Sequence, residues 1–201
     1  HYMQPEIDTR LGIAMGGALR AVERAMCEHP EARAALLVYP TYYGVATELA
    51  AIADFLHAQG KLLLVDAAHG AHFAFSDELP LSAMAAGADL SAESTHKLLG
   101  SLTQTSMLLT RGGRVSTARI RAASGIVQST SPNEILLASL DLARAQMAGE
   151  GRERLAVAIR AAHELRCRIN EIEGLWAFGA EYMGADGMAA LDPLKITVQV
   201  T

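Results

Sequence analysis

The hydrophobic pattern changes period repeatedly along the chain, and this constrains the fold more than any other feature. Ala34 to Tyr39 and Lys61 to Asp66 are short, almost continuous apolar runs of strand length. Between them, Glu48 to Gln59 repeats its apolar residues at helical spacing, with Gly60 placed to cap the end. Ala18 to Glu28 reads as an earlier helix stopped by His29-Pro30. Downstream, a helix-like stretch at Leu81 to Ala86 leads to Ala88–Ala92, and Thr105 to Thr110 resembles a further strand. This βαβαβ order predicts a mostly parallel sheet with strands buried on both faces and ligands at the strands' carboxyl ends. From Asn133 to Glu173 the chain reads as mainly helical with a break near Gly149-Glu-Gly151. Trp176 to Ala190 is glycine-rich and less regular, and Lys195 to Thr201 alternates like a strand.

Composition narrows the class of partner. About half of the 201 residues are hydrophobic, enough for one substantial core, and the net charge of −5 comes without any Lys/Arg-rich run. Neither nucleic acid nor a membrane surface is the expected partner; a small molecule is. No apolar stretch approaches the ~20 residues that span a bilayer, so a cytoplasmic protein is expected. Cys27 and Cys167 are too far apart in sequence to suggest a disulfide framework or a Cys-based zinc site. His69 and His72 have helical ligand spacing, but no third ligand completes a set, and no metal is expected. The chain starts at His1 and stops inside a strand-like alternation, which reads as an excerpt of something longer.

Two residues carry the chemical argument. Asp66 ends the run Leu62-Leu-Leu-Val-Asp66, and Lys97 closes Ser94-Thr-His-Lys97 after the next strand. Singly, a carboxylate there is an ordinary helix cap and a lysine an ordinary surface charge. Together they suit an aldehyde cofactor: a lysine amine forms a Schiff base with it, and a carboxylate keeps a pyridine nitrogen protonated, so that the ring accepts electrons from a breaking bond. Fingerprints for dinucleotide or P-loop nucleotide binding are absent.

Tyr39-Pro-Thr-Tyr-Tyr-Gly44, Val65-Asp-Ala-Ala-His-Gly70, Ser94-Thr-His-Lys97 and Gln128-Ser-Thr-Ser-Pro132 stand in the order found in ornithine/lysine/arginine decarboxylases. Pro5-Glu-Ile-Asp8, Ala138-Ser-Leu-Asp141 and Asp192-Pro-Leu-Lys195 extend the resemblance over nearly the whole chain. It implies an aspartate-aminotransferase-like (fold type I) three-layer α/β/α domain with a mostly parallel sheet, incomplete at both ends. Residues 1–148 would be part of a cofactor-binding major domain, and 149–201 a helical linker and the start of a small C-terminal domain.

The resemblance also implies pyridoxal 5'-phosphate as cofactor and a basic amino acid as substrate. Lys97 would be the attachment lysine, Asp66 the partner of the pyridine nitrogen, and Ala68 the small residue under the ring. His69 would border the phenolic oxygen, while Ser94 and His96 would bind the phosphate. Ser129, Thr130 and Ser131 are candidates for substrate or cross-subunit contact in a homodimer or higher homo-oligomer; their plainer reading is a helix start. Thr41, Tyr42 and Tyr43 are candidate pocket residues or sheet packing. The implied reaction is decarboxylation of lysine, arginine or ornithine. The alternatives are another reaction on the same scaffold, such as transamination or C–S lysis, or a non-catalytic fragment. Two positions depart from the family pattern: Ala67 stands where Glu is frequent, and Glu93 where an amide or apolar residue is more usual.

Overall fold

A computed structural model describes residues 1–184 and 187–200. Ala185 and Asp186, within the stretch read as irregular, and Thr201, at the end of the last alternation, lie outside the described residues. The strands are β1 (Ile7–Asp8), β2 (Ile13–Ala14), β3 (Ala34–Val38), β4 (Val45–Ala46), β5 (Leu62–Asp66), β6 (Leu90–Glu93), β7 (Met107–Thr110), β8 (Leu175–Ala177), β9 (Ala190–Leu191) and β10 (Val198–Val200). The helices are α1 (Leu19–Glu28), α2 (Leu49–Ala58), α3 (Thr95–Leu98), α4 (Thr117–Val127) and α5 (Glu134–Asn170).

The central sheet has the order β3-β5-β6-β7. β3, β5 and β6 run parallel, as the alternation predicts, whereas β7 is antiparallel to β6, so the sheet is mixed. A parallel return needs a long crossover, and the short turn after α3 permits only reversal. One face of the sheet presents Ala35, Leu37, Leu63 and Val65 to Val22 and Met26 of α1 and to Leu49, Ile52 and Leu56 of α2. Full burial of each larger aliphatic side chain here contributes about 1.5–3 kcal/mol. The other face differs from the expectation of burial on both sides: Leu36 and Val38 are 67% and 55% exposed. The apolar run in β3 thus alternates between a packed and an open face.

Two further elements depart from the sequence reading. Leu81 to Ala86 forms a single hydrogen-bonded turn instead of a helix. Ser82 accepts from Ala86 N, and Gly87, at φ +102°, turns the chain immediately into β6. In contrast, α5 runs through Gly149 and Gly151 without a break over its 37 residues. Each glycine weakens the helix by about 1 kcal/mol, but Gly151 is buried, and a Cβ there would lie only 3.3 Å from Phe75 Cβ. The absent side chain lets α5 approach the turn at Phe73–Phe75, with Leu155 entering the main core. Asn133 caps α5 by accepting from Ile135 N and Leu136 N. A second core, around Ile13, Met15, Val45, Phe178 and Met188, ties the first and last segments together.

Candidate active site

The register of the parallel strands brings the two chemical residues to one edge. Asp66 pairs with Ala92, and Ala67 N donates to Ala92 O at 2.9 Å. After Glu93 the chain turns into α3, whose Lys97 N donates to Ser94 O. Asp66 ends β5 exposed, with Oδ1 accepting from Ala68 N at 3.0 Å; its bond is local, and the second oxygen is left for another donor. The plain expectation for such a carboxylate is a helix cap; the chain continues instead as a turn, and this bond occupies one of the carboxylate's two oxygens.

His69 links the two halves. Its Nε2 lies 3.5 Å from Lys97 Nζ, and its Nδ1 lies 3.1 Å from Lys195 Nζ. The Tyr42 ring stands edge-on to the imidazole at 5.3 Å, and Lys195 Nζ lies 5.5 Å from the centre of that ring. Of the three candidates in the Tyr39–Gly44 segment, Tyr42 therefore joins the cluster. Thr41 Oγ1 instead accepts from Val45 N, and Tyr43 packs against the second core. Partial burial is the main influence holding the His69 pKa below its ordinary value, reinforced by the ammonium groups of Lys195 and Lys97 and opposed by Asp66 and Asp192. Partial burial likewise lowers the pKa of Lys195; Asp192 opposes this and Lys97 adds to it.

Ser94 occupies the position before α3, yet its hydroxyl makes no capping bond. His96 Nδ1 donates to Thr105 O at 2.7 Å, which leaves Nε2 as its available atom. Ala68 is half-buried beside His69. Gly70 allows the closing approach of this turn to the Tyr39–Pro40 segment, since a Cβ there would lie 2.9 Å from Pro40 Cδ. Ser129, Thr130 and Ser131 stand exposed before α5, where Ser129 Oγ accepts from Ser131 N; among the described residues nothing brings them to Lys97. The H-G-A-H segment is a turn, so His69 and His72 do not share a helix face. His72 is buried, with Nε2 3.1 Å from Asp192 Oδ2 but off the line of a hydrogen bond.

An amine, a carboxylate, a small residue, a hydroxyl that makes no helix-capping bond and an imidazole whose Nε2 is not its bonded atom are the donor and acceptor types that a phosphorylated pyridine aldehyde requires. The residues present thus fit pyridoxal phosphate. Lys195 was quoted in the sequence motif without a role; its remoteness in sequence from His69 gave no sign of their contact.

Comparisons with known proteins establish the family and the fold. A profile of the Orn/Lys/Arg decarboxylase major domain matches residues 1–200. A Bacillus subtilis protein named arginine decarboxylase is 45% identical over 199 residues, 99% of this chain and 41% of the relative. The chain thus spans about 41% of the length of that curated relative. Among solved structures, the Francisella novicida lysine decarboxylase superposes with a TM-score of 0.78 at 22% identity, covering 98% of this chain and 33% of that one. A NifS-like protein from Rickettsia africae superposes at 0.62 with 15% identity, covering 89% and 49% respectively, which places the fold among fold-type-I enzymes. The chain belongs to the Orn/Lys/Arg decarboxylase family and corresponds to its major domain.

Proposed function

We propose that the protein of which this chain is a part decarboxylates a basic amino acid with pyridoxal phosphate, and that Lys97 is the residue to which the cofactor attaches. The observation that carries this reading is the convergence of Asp66, His69 and Lys97 at one sheet edge, with His69 Nε2 3.5 Å from Lys97 Nζ. The name of the Bacillus subtilis relative favours arginine over lysine and ornithine as substrate.

When bound, the cofactor supplies an electron sink for the charge left at the substrate's α-carbon as carbon dioxide departs. Asp66 accepts a hydrogen bond from the protonated ring nitrogen through its free oxygen and keeps that proton in place. Ala68 would leave room for the ring, and His69 would border its phenolic oxygen. Ser94 donates its hydroxyl to the phosphate. His96 joins it through Nε2; because Nδ1 already carries the hydrogen given to Thr105 O, Nε2 donates only when the imidazole is charged. Lys97 Nζ would hold the cofactor and could serve as the proton donor at that edge.

Residues 1–148 would hold the cofactor, and 149–201 would provide the linker and the start of a second unit. The pairing of β8 with β10 outside the central sheet favours that division, whereas α5 crosses residue 149 unbroken and its Leu155 packs into the main core, so the two parts are continuous there. A homodimer is supported by the exposed apolar residues Ile126, Val127, Ile135, Leu137 and Leu142. They flank Ser129–Ser131, the segment proposed for contact across subunits. The reading is tested by carbon dioxide release from arginine, lysine and ornithine. Release from one of them, abolished by Lys97→Ala, is expected; formation of an oxo acid without carbon dioxide would redirect the assignment to transamination.

A further inference from the structure

The turn that ends in Lys195 is held more firmly than an exposed lysine needs. Asp192 is fully buried; its backbone N donates to Gly44 O at 2.8 Å and its Oδ1 accepts from Leu194 N at 2.9 Å. Arg166 of α5 clamps the same turn, with Nη2 donating to Lys195 O at 2.7 Å and to Pro193 O at 3.2 Å. Gly44, at φ +85°, gives the lysine stem its path: a Cβ there would sit 2.7 Å from Lys195 Cβ. Buried His72, from the turn that carries His69, also lies close to this turn, its Nε2 3.1 Å from Asp192 Oδ2 without a hydrogen bond between them. Three elements remote in sequence therefore converge to fix one ammonium group against one imidazole.

An ammonium has hydrogens to give and no lone pair to accept, so in the contact of 3.1 Å His69 Nδ1 is the acceptor. A neutral imidazole that accepts at Nδ1 carries its hydrogen on Nε2; Lys97 Nζ stands 3.5 Å from that atom, longer than the Lys195 contact and past good hydrogen-bond length, and takes its hydrogen only as the neutral amine. We propose that Lys195 is a positioning residue, whose ammonium fixes His69 as the Nε2–H tautomer and holds that hydrogen at the edge where the cofactor's phenolic oxygen would lie. The contact itself is independent of any ligand; its use in catalysis rests on the pyridoxal phosphate reading.

Charged groups around the imidazole are Lys97, Lys195, Asp66 and Asp192, with Tyr42 as the aromatic neighbour. The test is nitrogen-15 NMR of the histidine side chains in the full-length protein, first without cofactor. In the wild type His69 should show an unprotonated Nδ1 and a protonated Nε2. Lys195→Met should mix the tautomers and raise the His69 titration midpoint, as removal of an adjacent cation requires. Lys195→Arg should restore the wild-type pattern, because its guanidinium also donates to Nδ1. An unchanged tautomer and midpoint in Lys195→Met, with wild-type circular dichroism, would overturn the proposal. If Lys195→Met unfolds the protein, the wild-type and Lys195→Arg spectra still decide: a protonated Nδ1 in either contradicts it. Adding pyridoxal phosphate separates the two claims, since a missing absorption band in the wild type refutes the cofactor reading while leaving the tautomer result standing.

Discussion

Asp66 and Ala92 are register partners on adjacent parallel strands, and this single pairing sets the carboxylate that ends β5 beside the turn that bears Lys97. Parallel strands begin their exits at the same edge, so a strand-end acid and a lysine on the following turn meet without any special loop. The same edge receives His69 from the turn after β5 and Lys195 from a far more distant turn.

Replacing Asp66 by Asn keeps its shape and its acceptor for Ala68 N but removes the charge that holds a ring nitrogen protonated. Losing one member of a hydrogen-bonded charge pair costs about 2 kcal/mol or more. Asp66→Asn should therefore lower kcat/KM by at least roughly 30-fold, with thermal stability of the cofactor-free protein nearly unchanged. Steady-state kinetics and a melting curve check the two halves; full activity in the variant would remove Asp66 from the site.

Glu93 gives a pH prediction. It is 9% exposed, beside an apolar cleft of about 120 Å³ lined by Phe75, Met84, Leu99, Met107 and Leu109. Burial pushes its pKa up to about 7, with only a long hydrogen bond from Ser91 working against it. Because the folded value exceeds the unfolded one, stability is greatest below the unfolded value near 4.5 and falls as pH rises to about 7. Above that the loss is complete, up to about 3 kcal/mol. Glu93→Gln should flatten this slope, matching the wild type near pH 4 and exceeding it near pH 8 in urea denaturation. Equal slopes in the two proteins would show that Glu93 is well solvated.

Asp89 is a carboxylate with a structural task. It is 2% exposed, and its Oδ2 accepts from Leu63 N at 2.9 Å and lies 3.0 Å from His57 Nε2. Asp89→Ala strands the amide of a central strand and a histidine, which should cost about 3–5 kcal/mol. Urea denaturation should reveal this loss, while the tautomer of His69, on the other side of the sheet edge, stays as in the wild type. A loss below about 1 kcal/mol would mean that water replaces the carboxylate.

Strand and helix order was legible because burial imposes a period on residues close in sequence. The α1, β3, α2 and β5 assignments rest on that, as does the placement of Asp66 and the turn bearing Lys97 at one sheet edge. Local patterns failed where tertiary contact decides. Leu81–Ala86 has helical spacing but turns at Gly87, and α5 passes through two glycines because Gly151 lies against Phe75. No helix was read at Thr117–Val127, where α4 has no buried face to set a stripe. Lys195 lies 126 residues from His69, and only the folded chain brings them together. Ser94 and His96 stand out only through family resemblance, and the bond from His96 to Thr105 depends on the antiparallel return that follows α3.

The central claim is that Lys97 is the cofactor's attachment residue, and the visible absorption spectrum of the full-length protein with added pyridoxal phosphate tests it most directly. Wild-type protein should develop a band near roughly 400–430 nm, that of an imine between the cofactor and a lysine. Lys97→Ala, folded by circular dichroism, should not develop it. A band of equal strength in both proteins, or none in the wild type, would contradict the assignment of Lys97.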